Sequence, residues 1–298
     1  MIPRIGKVAG LLLFVFLLST SPTLAQLEVN LQGLSDANTT SFVGPLNTAL
    51  SSTMNAAIFR TGDVPKEDFH FMISVAAMAV GFDDEDKVYL PEDPTGFTAT
   101  TPTEVPTIIG DPSGAAVAGA NGLYEMYPGG LDLEGFEIGV PELQIGNVMG
   151  TTAKIRYIAL ELGDSELGDF KYTGFGLQHS ISQYFTDFPV DLAAGFFIQS
   201  FNIGSDLIKA KTTYMGITAS KQYGLFQPYV GIGLDTVKSE IYSKNEDYED
   251  FTVDLDMDKE SDMHFTLGAA AKTSAIGLFF EFNTAAATGF ALGLQFGN

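Results

Sequence analysis

Asp254, Asp256 and Asp258 recur at every second position and run on through Glu260 and Asp262. Residues two apart fall on one face of a strand, and a row of carboxylates is the donor type that hard divalent cations take. The calcium loop of helix–loop–helix proteins needs Gly at its sixth position and Glu at its twelfth. Counted from Asp254, the sixth position is Lys259, so that motif is excluded. Two readings remain. One is a looser divalent site at Asp254, Asp256 and Asp258 on an exposed hairpin. The other is a solvated acidic face that discourages edge pairing. Asp83, Asp84, Glu85 and Asp86 read as solvated acid in the same way.

A second set of charges sits inside otherwise apolar, alternating stretches. Lys154 and Arg156, and Lys209 and Lys211, are each two apart, with Asp191, Asp235 and Glu281 on other segments of the same kind. Charges on a lipid-facing strand face cost about 2–4 kcal/mol at mid-bilayer. The expectation is that these seven residues face a barrel lumen and pair there, with Glu161 as a further partner. Solute selectivity is the sharper alternative role.

Catalytic signals are weak. His179 adjoins Ser180 and precedes Ser182 by three residues, so both serines lie on the opposite strand face. His70 and His264 have no same-face Ser at short spacing. There is no Cys, hence no thiolate nucleophile, zinc–thiolate site or disulfide frame. No enzymatic role and no cofactor are expected. With 15 Lys+Arg against 37 Asp+Glu, the formal charge is −22. That argues against nucleic acid as a partner, because nucleic acid needs a basic footprint.

The elements that must position these groups are strands. Ile276, Leu278, Phe280 and Phe282 alternate with Gly277, Phe279 and Glu281. Phe290, Leu292, Leu294 and Phe296 alternate with Ala291, Gly293 and Gln295. One face is large and apolar and the other small or polar. A soluble sandwich would bury the apolar face against a second sheet, whereas a transmembrane barrel turns it to lipid. Three features favour the barrel. The segments are longer than the usual strand of about 5–6 residues. The second face is rich in Gly and Ala. The connections alternate between short turns and longer loops. The predicted fold is all-β: an antiparallel transmembrane β-barrel of about ten strands, within a range of about 8–14. The strands are expected at 69–81, 142–149, 152–160, 169–184, 189–202, 207–221, 225–242, 251–272, 275–283 and 287–296. The absence of Trp leaves Tyr and Phe to form any aromatic girdle.

Three regions follow. Residues 1–25 read as an export signal, with Arg4 and Lys7 ahead of an apolar run and Ala25 before the cut. Residues 26–68 carry a short amphipathic helix that starts at Gly44-Pro45. Pro45 suits a first helical position, and the segment is a candidate plug. Residues 69–298 form the barrel. Its long first loop, 82–141, is expected to fold in and constrict the lumen.

The order of features resembles outer-membrane transporters related to the long-chain fatty-acid transport family. The shared features are a signal segment, a Gly-Pro helix with the run Asn55-Ala56-Ala57-Ile58-Phe59, a long first loop and alternating strands. More closely, the chain resembles an uncharacterised family of Gram-negative barrels. There Pro141-Glu142-Leu143-Gln144-Ile145-Gly146, Lys154-Ile155-Arg156-Tyr157 and Gly176-Leu177-Gln178-His179 follow in order. The resemblance implies an outer-membrane location, with outer-membrane lipid and the barrel assembly machinery as partners. It also implies passive transport or binding of a small hydrophobic solute. The alternatives are a non-transporting surface barrel, whose acidic loops bind a partner or divalent ion, and a soluble periplasmic sandwich.

Overall fold

The computed structural model describes residues 31, 33–66, 69–146, 148–160, 170–203, 208–244, 252–273 and 275–297. The expected export signal, Glu161 and the tip of the acidic hairpin lie outside them. No described helix is long and apolar enough to cross a membrane.

Among the described residues, the helix α1 (Asp36–Met54) precedes fourteen strands. These are β1 (His70–Gly81), β2 (Val88–Tyr89), β3 (Val105–Pro106), β4 (Ala115–Ala118), β5 (Tyr124–Tyr127), β6 (Gly135–Gly146), β7 (Thr151–Leu160), β8 (Phe170–Ser180), β9 (Asp191–Ile203), β10 (Ile208–Ser220), β11 (Phe226–Lys244), β12 (Thr252–Lys272), β13 (Ile276–Thr284) and β14 (Thr288–Gly297). The strands β1 and β6–β14 close into a ten-stranded antiparallel barrel, sealed where β1 pairs with both β14 and β6. Closure gives every barrel strand a neighbour on both sides. The predicted count and class of fold are therefore those observed.

The alternation read from the sequence sorts the two faces. Phe290, Leu292 and Leu294 of β14 and Leu278 and Phe280 of β13 point outward and are about half exposed, while Ala291 and Phe279 between them are buried. A belt of such side chains surrounds the barrel. The inward positions are small, polar or aromatic, as a narrow filled lumen requires.

Two boundaries differ from the sequence reading. β6 starts at Gly135, seven residues before the expected strand, so the first loop ends earlier. Pro141 masked this start, because proline is rare inside sheets. Here it sits in β6 opposite Val75 of β1. α1 begins at Asp36 instead of Pro45. Ser35 caps it by accepting from the Asn38 amide at 3.3 Å, and Pro45 lies inside the helix. The start signal is thus the cap residue Ser35 followed by Asp36, nine residues upstream of the proline.

The loop from Phe82 to Glu134 is ordered into the two ribbons β2–β3 and β4–β5. It covers the end of the barrel where the long loops emerge. Its Ile108 and Ile109 cluster with Leu31, Phe42 and Val43 of the N-terminal segment. The Lys87 ammonium donates to Glu134 at 2.6 Å, and this partner raises the Lys87 pKa above the usual lysine value. The Ser113 amide donates to Asp111 at 2.7 Å and holds that carboxyl below the ordinary range. The hairpin of β11 and β12 runs well past the rim: its ladder extends to Lys244 opposite Thr252, whereas β13 stops at Thr284 opposite Phe265.

Candidate functional site

The lumen is occupied by the chain's own N-terminal segment. α1 descends from the loop end, and residues 55–62 continue toward the turn end, where β1 begins. Leu50 and Met54 of α1 belong to one buried apolar cluster with Ile138 and Val140 of β6, Phe170 and Tyr172 of β8, and Phe201 of β9. Further down, Phe59 meets Phe197 edge to face and lies tilted against Tyr214. It fits because position 195 is glycine: a Cβ there would lie 2.4 Å from the Phe59 ring. Gly62 is equally tight, since a Cβ would meet the Asp191 carbonyl oxygen at 2.2 Å.

The helix ends in the lumen, where its last carbonyls have no water to satisfy them. The barrel wall supplies the donors. Gln199 Nε2 donates to Met54 O at 2.6 Å. The guanidinium of Arg156 donates to Met54 O at 3.2 Å, Ala56 O at 3.1 Å and Ala57 O at 2.7 Å. A cation at a helix C-terminus also meets the negative pole of the helix dipole. Lys154 Nζ donates to Ile58 O at 2.5 Å. Both cations are 1% exposed.

Their charge is balanced from the wall. Glu142 of β6 accepts from Arg156 Nε at 3.0 Å and from Arg60 Nη2, in the plug itself, at 2.7 Å. Glu281 of β13 accepts the Ala57 amide at 2.7 Å and the Asn283 side-chain amide at 2.8 Å on one oxygen. Its other oxygen accepts the Tyr229 hydroxyl at 3.0 Å. Ala57 has φ 55, in the left-handed region that costs a residue with a Cβ about 1 kcal/mol or more. Its N–H and C=O are clamped by Glu281, Arg156 and Arg60.

A second cluster lies beside it. His264 Nδ1 is 2.7 Å from Asp235 and its Nε2 is 2.8 Å from the Asn283 carbonyl oxygen. Asn283 must turn its amide nitrogen to Glu281, which only accepts, so its oxygen faces His264. The ring thus bridges Asp235 of β11 and Asn283 of β13.

Of the seven charged residues read as lumenal, Lys154, Arg156, Asp235 and Glu281 are buried inside the barrel. Asp191 sits half-buried at the turn-end rim beside Gly62. Lys209 and Lys211 point outward, because the buried positions of β10 are Ala210, Thr212 and Tyr214. They lie in the first residues of β10 at the loop end, where an outward charge costs about 0–1 kcal/mol. The expected pairing also differs: the buried cations serve the plug backbone and Glu142, rather than Asp191, Asp235 or Glu281. The side chains of Asp254, Asp256 and Asp258 lie outside the described residues. Among the described residues no group of three or more His, Asp or Glu could hold a metal ion.

Arg60, Glu142 and Gln199 were not singled out from the sequence. Arg60 lies in a segment without strand period. Glu142 was placed at a strand start, so its shared parity with Gln144 went unused.

One seam interrupts the wall. β6 pairs with β1 over its whole length, and β7 pairs with β8 over its whole length. Between β6 and β7 the ladder runs only from Gly146 opposite Thr152 to Glu142 opposite Arg156. Pro141, which has no N–H to give, stands at the point where it stops. In the same register residues 138–141 fall opposite 157–160, and no ladder pair is formed there. The register places this stretch level with the outward apolar belt: Val75 pairs with both Pro141 and Leu294, and Ala79 with both Glu137 and Phe290. On the lumen side of the seam lie Phe136, Ile138, Val140 and Ile158, beside Phe170 and Tyr172.

The sequence matches a family of unknown function, DUF6588, over residues 6–298. A comparison with curated proteins finds no match. Among solved structures the chain is similar to OmpT of Vibrio cholerae lacking loop L8, an outer membrane protein. The two share 10% identity over 78% of this chain and 98% of that one, with TM-score 0.28. It is similar to the outer membrane protease OmpT of Escherichia coli at 9% identity over 79% and 98%, TM-score 0.35. The transport unit of the autotransporter AIDA-I from Escherichia coli is similar at 10% identity over 88% and 99%, TM-score 0.33. These neighbours are outer-membrane barrels. At such identity the likeness concerns fold alone, and the finer likeness to fatty-acid transporters is not shown by them.

Proposed function

We propose that this chain, which belongs to the DUF6588 family of unknown function, is an outer-membrane barrel that binds or passes a small hydrophobic solute through its wall. The loop end faces the cell exterior and the turn end the periplasm, following the rule of short periplasmic turns. The outward belt supports the membrane assignment, since a soluble protein rarely exposes an apolar surface of that extent.

The observation that carries the reading is the seam between β6 and β7. It lies between the apolar belt and the apolar lining of Ile138, Val140 and Ile158, at the place where the wall lacks ladder bonds. Leu50 and Met54 of α1 cover that lining from inside, so the helix occupies the place a solute would take. Axial diffusion is opposed by the plug and by the ordered loop 82–134. An open water-filled porin does not fit a lumen held by Arg156, Lys154 and Glu281.

The test uses the absence of native cysteine. Extending the β6–β7 register by two residues places Val140 opposite Ile158. The double variant Val140→Cys/Ile158→Cys should close the seam when oxidised. Proteoliposome uptake of a neutral apolar fluorophore should fall on oxidation and return with reductant. Uptake that ignores the crosslink rejects the seam as the route. No uptake in either state would favour the non-transporting surface barrel.

A further inference from the structure

The seam reading leaves the chemical class of the solute open, and the charges around the site narrow it. We infer that the solute is an uncharged, hydrocarbon-like molecule and that carboxylate-bearing amphiphiles are excluded. This rests on the seam being a solute site.

Two observations carry it. The first is the state of the buried cations. A carboxylate brought into an apolar site needs a cationic or donor partner, since an unpaired buried charge is prohibitively costly. Each of the three plug-zone cations already serves at least one acceptor, although the buried Arg60 Nε has none. Arg156 serves Glu142 and three backbone carbonyls, Arg60 serves Glu142 and Ala57 O, and Lys154 serves Ile58 O. Drawing Arg156 to an incoming anion would strip Glu142 and the end of α1 of their partner. The hydroxyl of Tyr172, a member of the same apolar cluster, already donates to Gln199.

The second is the cover over the loop end. From Asp83 to Glu134 the sequence holds eleven acidic residues and one basic residue, Lys87, and Lys87 is paired with Glu134. A surface of one sign lowers the local concentration of like-charged solutes. Outside the seam, Glu137 on β6 and Lys171 on β8 are both exposed and offset each other, so discrimination falls to the cover and the interior.

The test compares a matched pair, decanol and decanoate, at about pH 8, where the acid is ionised. Each competes with the neutral fluorophore phenylnaphthylamine for the full protein in zwitterionic vesicles. The oxidised Val140→Cys/Ile158→Cys variant serves as the blank for lipid partitioning. Decanol should displace the fluorophore at a concentration at least about tenfold lower than decanoate, which is the ratio that roughly 1.4 kcal/mol produces. Equal displacement, or stronger displacement by decanoate, overturns the inference while leaving the site standing. Failure of the fluorophore and of both competitors to bind above the blank overturns the site, and the inference with it.

Discussion

Arg156 Nη2 donates to the Ala57 carbonyl at 2.7 Å, joining the barrel wall to a plug residue with φ 55. The strained turn at Ala57 is therefore held from outside its own segment. It is also where the backbone passes from the end of α1 into the descending run toward Gly62. Removing the guanidinium leaves three carbonyls without this donor and Glu142 with Arg60 alone. Arg156→Met should destabilise the folded barrel by about 3–5 kcal/mol, the cost of breaking a buried pair from one side. Urea unfolding in lipid vesicles checks this. Arg156→Lys should recover only part of the loss, because one ammonium cannot reproduce the fork that serves Glu142 and the carbonyls together.

Glu281 holds the other side of the same turn. Glu281→Leu leaves the Ala57 amide, the Tyr229 hydroxyl and the Asn283 amide without their acceptor, at about 1–3 kcal/mol for each unsatisfied group. Glu281→Gln keeps an acceptor and should lose much less. The same unfolding assay separates the two. Equal losses would mean that the charge, and not the acceptor geometry, is what matters.

The foot of the plug is set by Gly62. Gly62→Ala places a methyl 2.2 Å from the Asp191 carbonyl, so the backbone must move away from the wall. Trypsin should then cut after Arg60, which is buried in the native protein. Fragment mass and N-terminal sequence of the digested protein read this out. A variant as resistant as the native chain would show that the foot can shift without opening.

The outward belt has its own test. Leu292, midway along β14, is 58% exposed on the outer face, while its neighbour Ala291 is buried on the inner one. Leu292→Lys should cost about 2–4 kcal/mol if that face meets acyl chains. A loss under about 0.5 kcal/mol, usual for an exposed site on a soluble protein, would contradict the membrane assignment.

Much of this was legible in the sequence, for a simple reason. Side chains alternate strictly along a strand, so Phe290-Ala291-Leu292-Gly293 reveals both faces of β14 without any partner in view. The inward direction of Lys154 and Arg156 follows from the same parity, since Ile155 between them faces out. Charge misleads at Lys209 and Lys211, where counting in twos from Tyr214 places both on the outer face. What they do at the outer face depends on their depth in the wall, which alternation does not encode. The plug contacts were illegible. Arg60 and Ala57 lie in a segment without period, and their partners Glu142 and Glu281 are more than eighty residues away in the chain. The seam was hidden for a related reason: Pro141 reads as the end of a loop, and only pairing with β1 shows it to be inside a strand.

The central claim is that the lumen is closed by the chain's own segment, latched by Arg156 to the backbone at the end of α1. Single-channel recording in planar bilayers tests it most directly. The native protein should show no steady ionic conductance, and Arg156→Met should open discrete current steps. A steady ohmic current through the native protein, unchanged by Arg156→Met, would contradict it.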